Sequence, residues 1–317
     1  MTARAHSWGG AAPFRIAHLS DLHLTASDDA MRSEPKLFGK LIGMNRAFRK
    51  LAASDELQKA DLVIVTGDVT DRGELDAWKF FWEALEEAKL LEKTWVIPGN
   101  HDVCCLGIRM PDRRNADRDI QKLVRGLALK KGHPTRFPWA HSPDGRVAVF
   151  ALNSNNLGNV SGMTNAVGWL GHWQLARLAR MLARFQEIPV KIIALHHSPN
   201  IPGDDVAVER GLMPMGPLAT RGHQIDRGQR AALRLVGIAQ HVRLIVHGHL
   251  HRREDRRVDG IRIIGVPAST EPLRTGARSA AFCRFALYTI GGSVPRVHVR
   301  WVDVPVWTGC TLPIRLT

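Results

Sequence analysis

The chain has 317 residues, 44% of them hydrophobic and 23% charged, which excludes a disordered polymer or a disulfide-stapled miniprotein and allows a substantial buried core. A formal charge of +14 favours polyanionic or phosphorylated partners over cationic ones. Residues 1–13 lack the apolar run of a secretory signal, nothing later reaches membrane-span length, and Cys104, Cys105, Cys283 and Cys310 form no metal-finger spacing, so free thiols and a cytoplasmic location are expected.

In chain order, a flexible N-terminus of residues 1–13 is expected to precede a single domain over 14–317. Residues 14–20 alternate apolar and polar side chains enough to predict a strand that delivers Asp21-Leu22-His23 at its end. In extended backbone, residues two apart share a side, so this carboxylate and imidazole can reach one divalent ion. Residues 36–51 place Leu37, Leu41, Ile42, Met44, Phe48 and Leu51 near helical spacing among Lys36, Lys40, Arg46, Arg49 and Lys50. The segment is read as an amphipathic helix packed on the domain, or as a basic surface in peripheral contact with an anionic membrane.

The aliphatic run of residues 62–66 predicts a buried strand that stops at Gly67 and presents Asp68, in the stretch Gly67-Asp68-Val69-Thr70-Asp71-Arg72-Gly73. Asp68 there either caps a helix starting near Glu74 or uses its two oxygens to bridge two positive centres. A helix over 74–89 follows, then a strand at 94–98 ending in Gly99-Asn100-His101-Asp102, where Asn100 offers a neutral amide oxygen and His101 a proton. From 106 to 146 the chain is basic and irregular; it reads as an insertion with a helix at 119–130, either a substrate-contacting lid or a solvated excursion.

Further strands are expected at 147–152, at 190–195 ending in His196-His197-Ser198-Pro199, and at 242–246 ending in His247-Gly248-His249-Leu250-His251. Helices are expected at 171–186 and from a cap at Asp226 to Gln240, with a long Gly- and Pro-rich loop over 200–225. The tail predicts strands at 261–266, 280–290 and 294–305, with Gly291-Gly292 as a hairpin turn.

Five strand ends thus carry Asp, Asn or His, on the sheet edge where ligands of α/β proteins bind. This ordered series, over about residues 14–252, resembles the calcineurin-like metallophosphoesterase superfamily, and is most similar to its bacterial class III cyclic-nucleotide phosphodiesterase branch. The resemblance implies an α/β fold, a four-layer αββα sandwich of two mixed β-sheets flanked by helices, with two divalent or trivalent metal ions (Mn, Fe or Zn). It implies Asp21, His23, Asp68 and His251 around one ion, and Asp68, Asn100, His196 and His249 around the other, with His197 and His247 in supporting positions. A water between cations roughly 3.5–4 Å apart would be acidified and attack phosphorus in line. His101 would stabilise the charge or protonate the leaving oxygen. Asp71 would orient that histidine, as in the similar motif of Ser/Thr phosphoprotein phosphatases, and Arg72 would contact phosphate. The ending GNHE of those phosphatases is absent, which argues against protein phosphatase activity.

What the resemblance implies is hydrolysis of a small phosphorylated substrate: a phosphodiester, cyclic nucleotides included, or a phosphomonoester. The alternatives are a UDP-diacylglucosamine pyrophosphatase-like hydrolase at the membrane surface, suggested by the Asp21–Leu24 stretch and segment 36–51, and a nuclease, favoured by the charge alone. Nucleic acid is therefore admitted as a partner but not favoured. A scaffold without catalysis ranks last.

Overall fold

A computed structural model describes residues 12–32, 42–103, 113–155, 168–199, 227–271, 273–274, 281–291 and 296–305. The expectations for residues 1–11, Cys104, Cys105 and Cys310, the loop 200–225, the Asp226 cap and Gly292 lie outside the described residues. Cys283 is a free, buried thiol.

The first part of the chain runs β1 (Phe14–Leu19), α1 (Met44–Ala52), a single turn α2 (Asp55–Gln58), β2 (Leu62–Val65), α3 (Leu75–Glu87), β3 (Thr94–Val96) and the short α4 (Asn100–Val103). The middle adds α5 (Arg113–Lys130), β4 (Trp139–His141), β5 (Val147–Ala151), α6 (His172–Arg184), β6 (Val190–Ala194), α7 (Arg227–Ala239), β7 (Leu244–His247), β8 (Glu254–Val258) and β9 (Ile261–Gly265). The end contributes β10 (Leu273–Arg274), β11 (Ala281–Gly291) and β12 (Arg296–Pro305).

These strands make two mixed sheets. In the first, β1, β2 and β3 are parallel neighbours, and β11 pairs antiparallel with β1, β10 and β12. In the second, β5, β6, β7 and β9 run parallel, with β4 and β8 as antiparallel edges. The chain therefore builds the first sheet from both its ends and the second from its middle.

Strand periodicity decides the layers. In β2, Leu62 and Ile64 face the second sheet while Val63 and Val65 face helices α1 and α3. In β5, Val147, Val149 and Ala151 point between the sheets, and Ala148 and Phe150 point to the layer of Leu175, Leu178 and Leu182 from α6. Both faces are buried, which is why these strands read as unbroken aliphatic runs. Each Val, Leu, Ile or Phe among them contributes about 1.5–3 kcal/mol on burial. Helices outside, two sheets inside, give four layers.

Two helices differ from the sequence reading. Helix α1 starts at Met44 because Gly43 stands at φ 83, a left-handed conformation that suits glycine; the expected residues 36–41 lie outside the described residues. Its Met44, Phe48 and Leu51 are buried in the first outer layer, so the apolar face of this part meets protein. Helix α5 begins six residues before its expected start, and its Val124, Leu127 and Ala128 pack against the cluster containing α3. This helix thus packs on the outer layer, and the stretch after it contributes β4, an edge strand of the second sheet. Among the described residues, no helix is long and apolar enough to cross a membrane.

Candidate metal centre

The first sheet brings Asp21 and His23 past β1, Asp68 past β2, and Asn100 and His101 past β3; the second brings His196 past β6 and His249 and His251 past β7. The chain turns at these points by left-handed backbone. Asp21 (φ 53), His23 (φ 46), Asp68 (φ 49), His249 (φ 69) and His251 (φ 50) are five of the eight non-glycine residues with positive φ among the described residues. Such conformations cost of order 1–3 kcal/mol each and persist where surrounding contacts enforce them. The convergence of Asp21 with His23, expected from extended backbone, is thus produced by this turn instead.

The enforcing contacts run between loops. Asp21 N–H donates to the Gly67 carbonyl at 2.9 Å and His23 N–H to the Asp68 carbonyl at 2.9 Å. His249 N–H donates to both Asp21 carboxylate oxygens, at 3.0 and 3.1 Å, joining the two sheets. Gly67 (φ 102) admits no side chain, since a Cβ there would lie 2.5 Å from His196 Nδ1. Asp102 accepts from the Val69, Thr70 and Gly99 N–H groups and the Thr70 hydroxyl, so one carboxylate braces the loops carrying Asp68 and Asn100.

Among the described residues three donor groups gather: His23, Asp71 and His101 form one, and the other two share Asp68. In one of those two clusters, ligand atoms of Asp21, His23, Asp68 and His251 all lie within 4.8 Å of one another; in the other, those of Asp68, His196 and His249 do. Asn100 joins the second, its Oδ1 being 2.8 Å from His196 Nε2. Ring nitrogens face each other across each cluster: His23 Nε2 and His251 Nε2 at 3.1 Å, His249 Nδ1 and His196 Nε2 at 3.2 Å. Imidazole, carboxylate and amide oxygen donors aimed at a shared point fit a divalent transition metal, and Asp68 belongs to both groups.

The electrostatics agree. Burial works to raise the Asp68 carboxyl, but the charges of His196 and His101 and their hydrogen bonds hold it well below the usual carboxylate range. Burial disfavours charge on His196 and His251, yet the Asp68 and Asp21 carboxylates push them up to about 9. His23 lies well below its ordinary value through burial and the nearby Arg32 charge.

The match to known proteins is decisive at this point. The family model described as calcineurin-like phosphoesterase matches residues 14–253, most of the chain. The protein is a calcineurin-like phosphoesterase. It is 26% identical over 237 residues to a probable glycerophosphodiester phosphodiesterase of Arcobacter nitrofigilis, covering 71% of this chain and 70% of the relative. It is also 26% identical over 275 residues to a 3',5'-cyclic adenosine monophosphate phosphodiesterase of Pseudomonas aeruginosa, covering 86% and 82%. A dimetal phosphatase structure from Danio rerio shares the fold, with a TM-score of 0.58 at 13% identity over 94% of this chain and 100% of that one. This calcineurin-like phosphoesterase is accordingly a metal-dependent phosphoric ester hydrolase.

The remaining expected residues fall as follows in the phosphoesterase. His101 is buried beside the clusters: its N–H donates to Asp68 Oδ1 at 2.8 Å, and its Nδ1 lies 2.9 Å from the Asp71 carbonyl. Asp71 thus meets His101 through its backbone, while its carboxylate Oδ1 lies 3.6 Å from His23 Nδ1. Arg72 is about half exposed, its Nε 3.4 Å from Asp71 Oδ2. His197 bonds Ser154 Oγ at 2.8 Å, and His247 Nε2 lies 3.1 Å from Glu254. Helix α3 is preceded by Glu74 with no side-chain cap, and Asp68 faces the clusters, so the capping role considered for Asp68 is not the one it takes. Arg32, Asp102 and Glu271 border the site without having been singled out, and only Asp102 carried a signal, as the last residue of the Asn100 motif.

Proposed function

We propose that the chain hydrolyses a phosphodiester, in the substrate class that includes cyclic nucleotides and glycerophosphodiesters, with two metal ions. The observation that carries this reading is that Asp68 belongs to both donor clusters. Asp21, His23, Asp68 and His251 would hold one cation and Asp68, Asn100, His196 and His249 the other. Mixed nitrogen and oxygen donors suit manganese, iron or zinc. Such cations supply Lewis acidity, acidifying water and drawing charge from phosphoryl oxygens.

The chain's own groups have separate tasks. Asp68, held ionised, keeps the donors of both sheets in register around one point. His101 Nδ1 donates its proton to the Asp71 carbonyl, which orients the ring and assigns Nε2 to exchange a proton with the leaving oxygen. Support for a diester over a monoester comes from the names of two relatives, a glycerophosphodiester phosphodiesterase and a cyclic adenosine monophosphate phosphodiesterase.

The test is a panel of bis-p-nitrophenyl phosphate, 3',5'-cyclic nucleotides, glycerophosphodiesters and phosphomonoesters, run on metal-analysed protein with and without chelator. Preference for the diesters, lost on chelation and restored by metal, is expected. Full turnover in chelator, or preference for monoesters, would refute the reading.

A further inference from the structure

Behind the first cluster lies a closed chain of charged groups. Arg32 is only 2% exposed, a guanidinium inside the protein, and such a charge requires partners. Its Nε lies 3.7 Å from Asp71 Oδ1 and its Nη1 lies 3.8 Å from Glu271 Oε2. Each of these carboxylates stands behind a different histidine: Asp71 Oδ1 is 3.6 Å from His23 Nδ1, and Glu271 Oε2 is 3.7 Å from His251 Nδ1. The opposite nitrogens of the two rings meet at 3.1 Å in the cluster itself.

We propose that Arg32 is a positioning residue that ties Asp71 to Glu271 behind His23 and His251, and thereby fixes both imidazoles toward one cation site. This rests on the reading that the Asp21–His23–Asp68–His251 cluster holds a cation. At 3.6 and 3.7 Å these are ion-pair rather than hydrogen-bond distances, and a carboxylate so placed behind Nδ1 favours the proton on that nitrogen, leaving the Nε2 lone pair for the metal. Two such carboxylates side by side would repel each other and drift apart; the guanidinium between them removes that tendency and spans the gap with a planar fork.

The two arms come from different sheets, which is why a brace is needed. Asp71 follows β2, and its N–H donates to the Leu24 carbonyl at 2.8 Å, strapping it to the loop of His23. Glu271 follows β9, in a segment strapped to the same loop from the other side: Ser269 N–H donates to the Ser20 carbonyl at 2.9 Å and the Thr270 hydroxyl to the Leu22 carbonyl at 2.6 Å. Arg32, in the loop after β1, connects them. The second cluster is braced independently, with His196 Nδ1 2.7 Å from the Thr66 carbonyl. The frame should therefore govern one site and leave the other alone.

The experiment titrates Mn²⁺ calorimetrically into full-length wild type, Arg32→Leu and Glu271→Gln, and reads Co²⁺ visible spectra of the same proteins. In both variants, one of two cation equivalents should weaken about 10–100-fold, with its Co²⁺ bands altered, while the other keeps its wild-type affinity. Glu271→Gln is nearly isosteric and partly exposed, so it decides the matter if Arg32→Leu does not fold. Wild-type affinity at both equivalents, or equal weakening of both, overturns the frame alone. Absence of any cation binding by wild type overturns the metal reading, and the frame with it.

Discussion

Asp68 Oδ2 lies 3.3 Å from His196 Nε2, across the interface between the two sheets. The same oxygen is 3.9 Å from His23 Nε2, so one buried carboxylate addresses both donor clusters. Asp68→Asn keeps the shape but halves the oxygen donors and removes the charge. Diester turnover should fall at least about 100-fold and bound metal should drop from two equivalents toward one, read by steady-state kinetics and elemental analysis. Unchanged metal content would contradict the shared-ligand assignment.

Metal uptake should release protons. His196 and His251 stand at about 9 beside Asp68 and Asp21, so both carry protons at pH 7.5 and must shed them to ligate a cation. Calorimetry in buffers of different ionisation enthalpy should show release of about two protons per protein, and affinity should rise with pH up to about 9. Proton uptake, or no linkage, would run against this prediction.

His133 should make folding stability pH-dependent. Its ring packs 4.5 Å from that of Trp82, and burial lowers it to about 4 from an ordinary 6.5. The unfolded chain therefore binds the proton more readily between those values, so this contribution is full above 6.5 and is lost as pH falls toward 4. Urea denaturation of His133→Gln should show a shallower loss of stability between pH 7 and 5 than wild type. An identical slope would remove His133 as a cause.

Tyr288 should support the core through a single hydroxyl. Its OH lies 2.7 Å from His18 Nδ1, and His18 Nε2 lies 2.8 Å from Thr66 Oγ1, all buried. Tyr288→Phe leaves a ring nitrogen without that partner, and should destabilise the fold by about 1–3 kcal/mol in denaturant titration. A neutral result would mean that the ring finds another partner.

The chain's apolar runs at β2, β5, β6 and β7 were legible because each is buried on both faces, which demands mostly apolar sequence, with Lys191 in β6 accommodated by its bond to the Gln240 carbonyl. The polar residues after β2, β6 and β7 were legible for the converse reason: a carboxylate or imidazole at the end of a buried strand stands out against it. Helix α5 was placed six residues short because residues 113–118 carry none of the apolar stripe, whereas Val124, Leu127 and Ala128, which meet α3, fall inside the expected span. Strand β8, reading Glu-Asp-Arg-Arg-Val, has no apolar pattern and exists through its pairing with β9.

By itself the sequence determined the apolar strands that carry the site and the kinds of donor atom at their ends, since both depend on local side-chain chemistry. Only the tertiary structure decided that left-handed backbone turns Asp21, His23, Asp68, His249 and His251 inward, and that Arg32 lies between Asp71 and Glu271. Those outcomes depend on hydrogen bonds and charges between segments distant in the chain, whose energy is realised only when the two sheets come together.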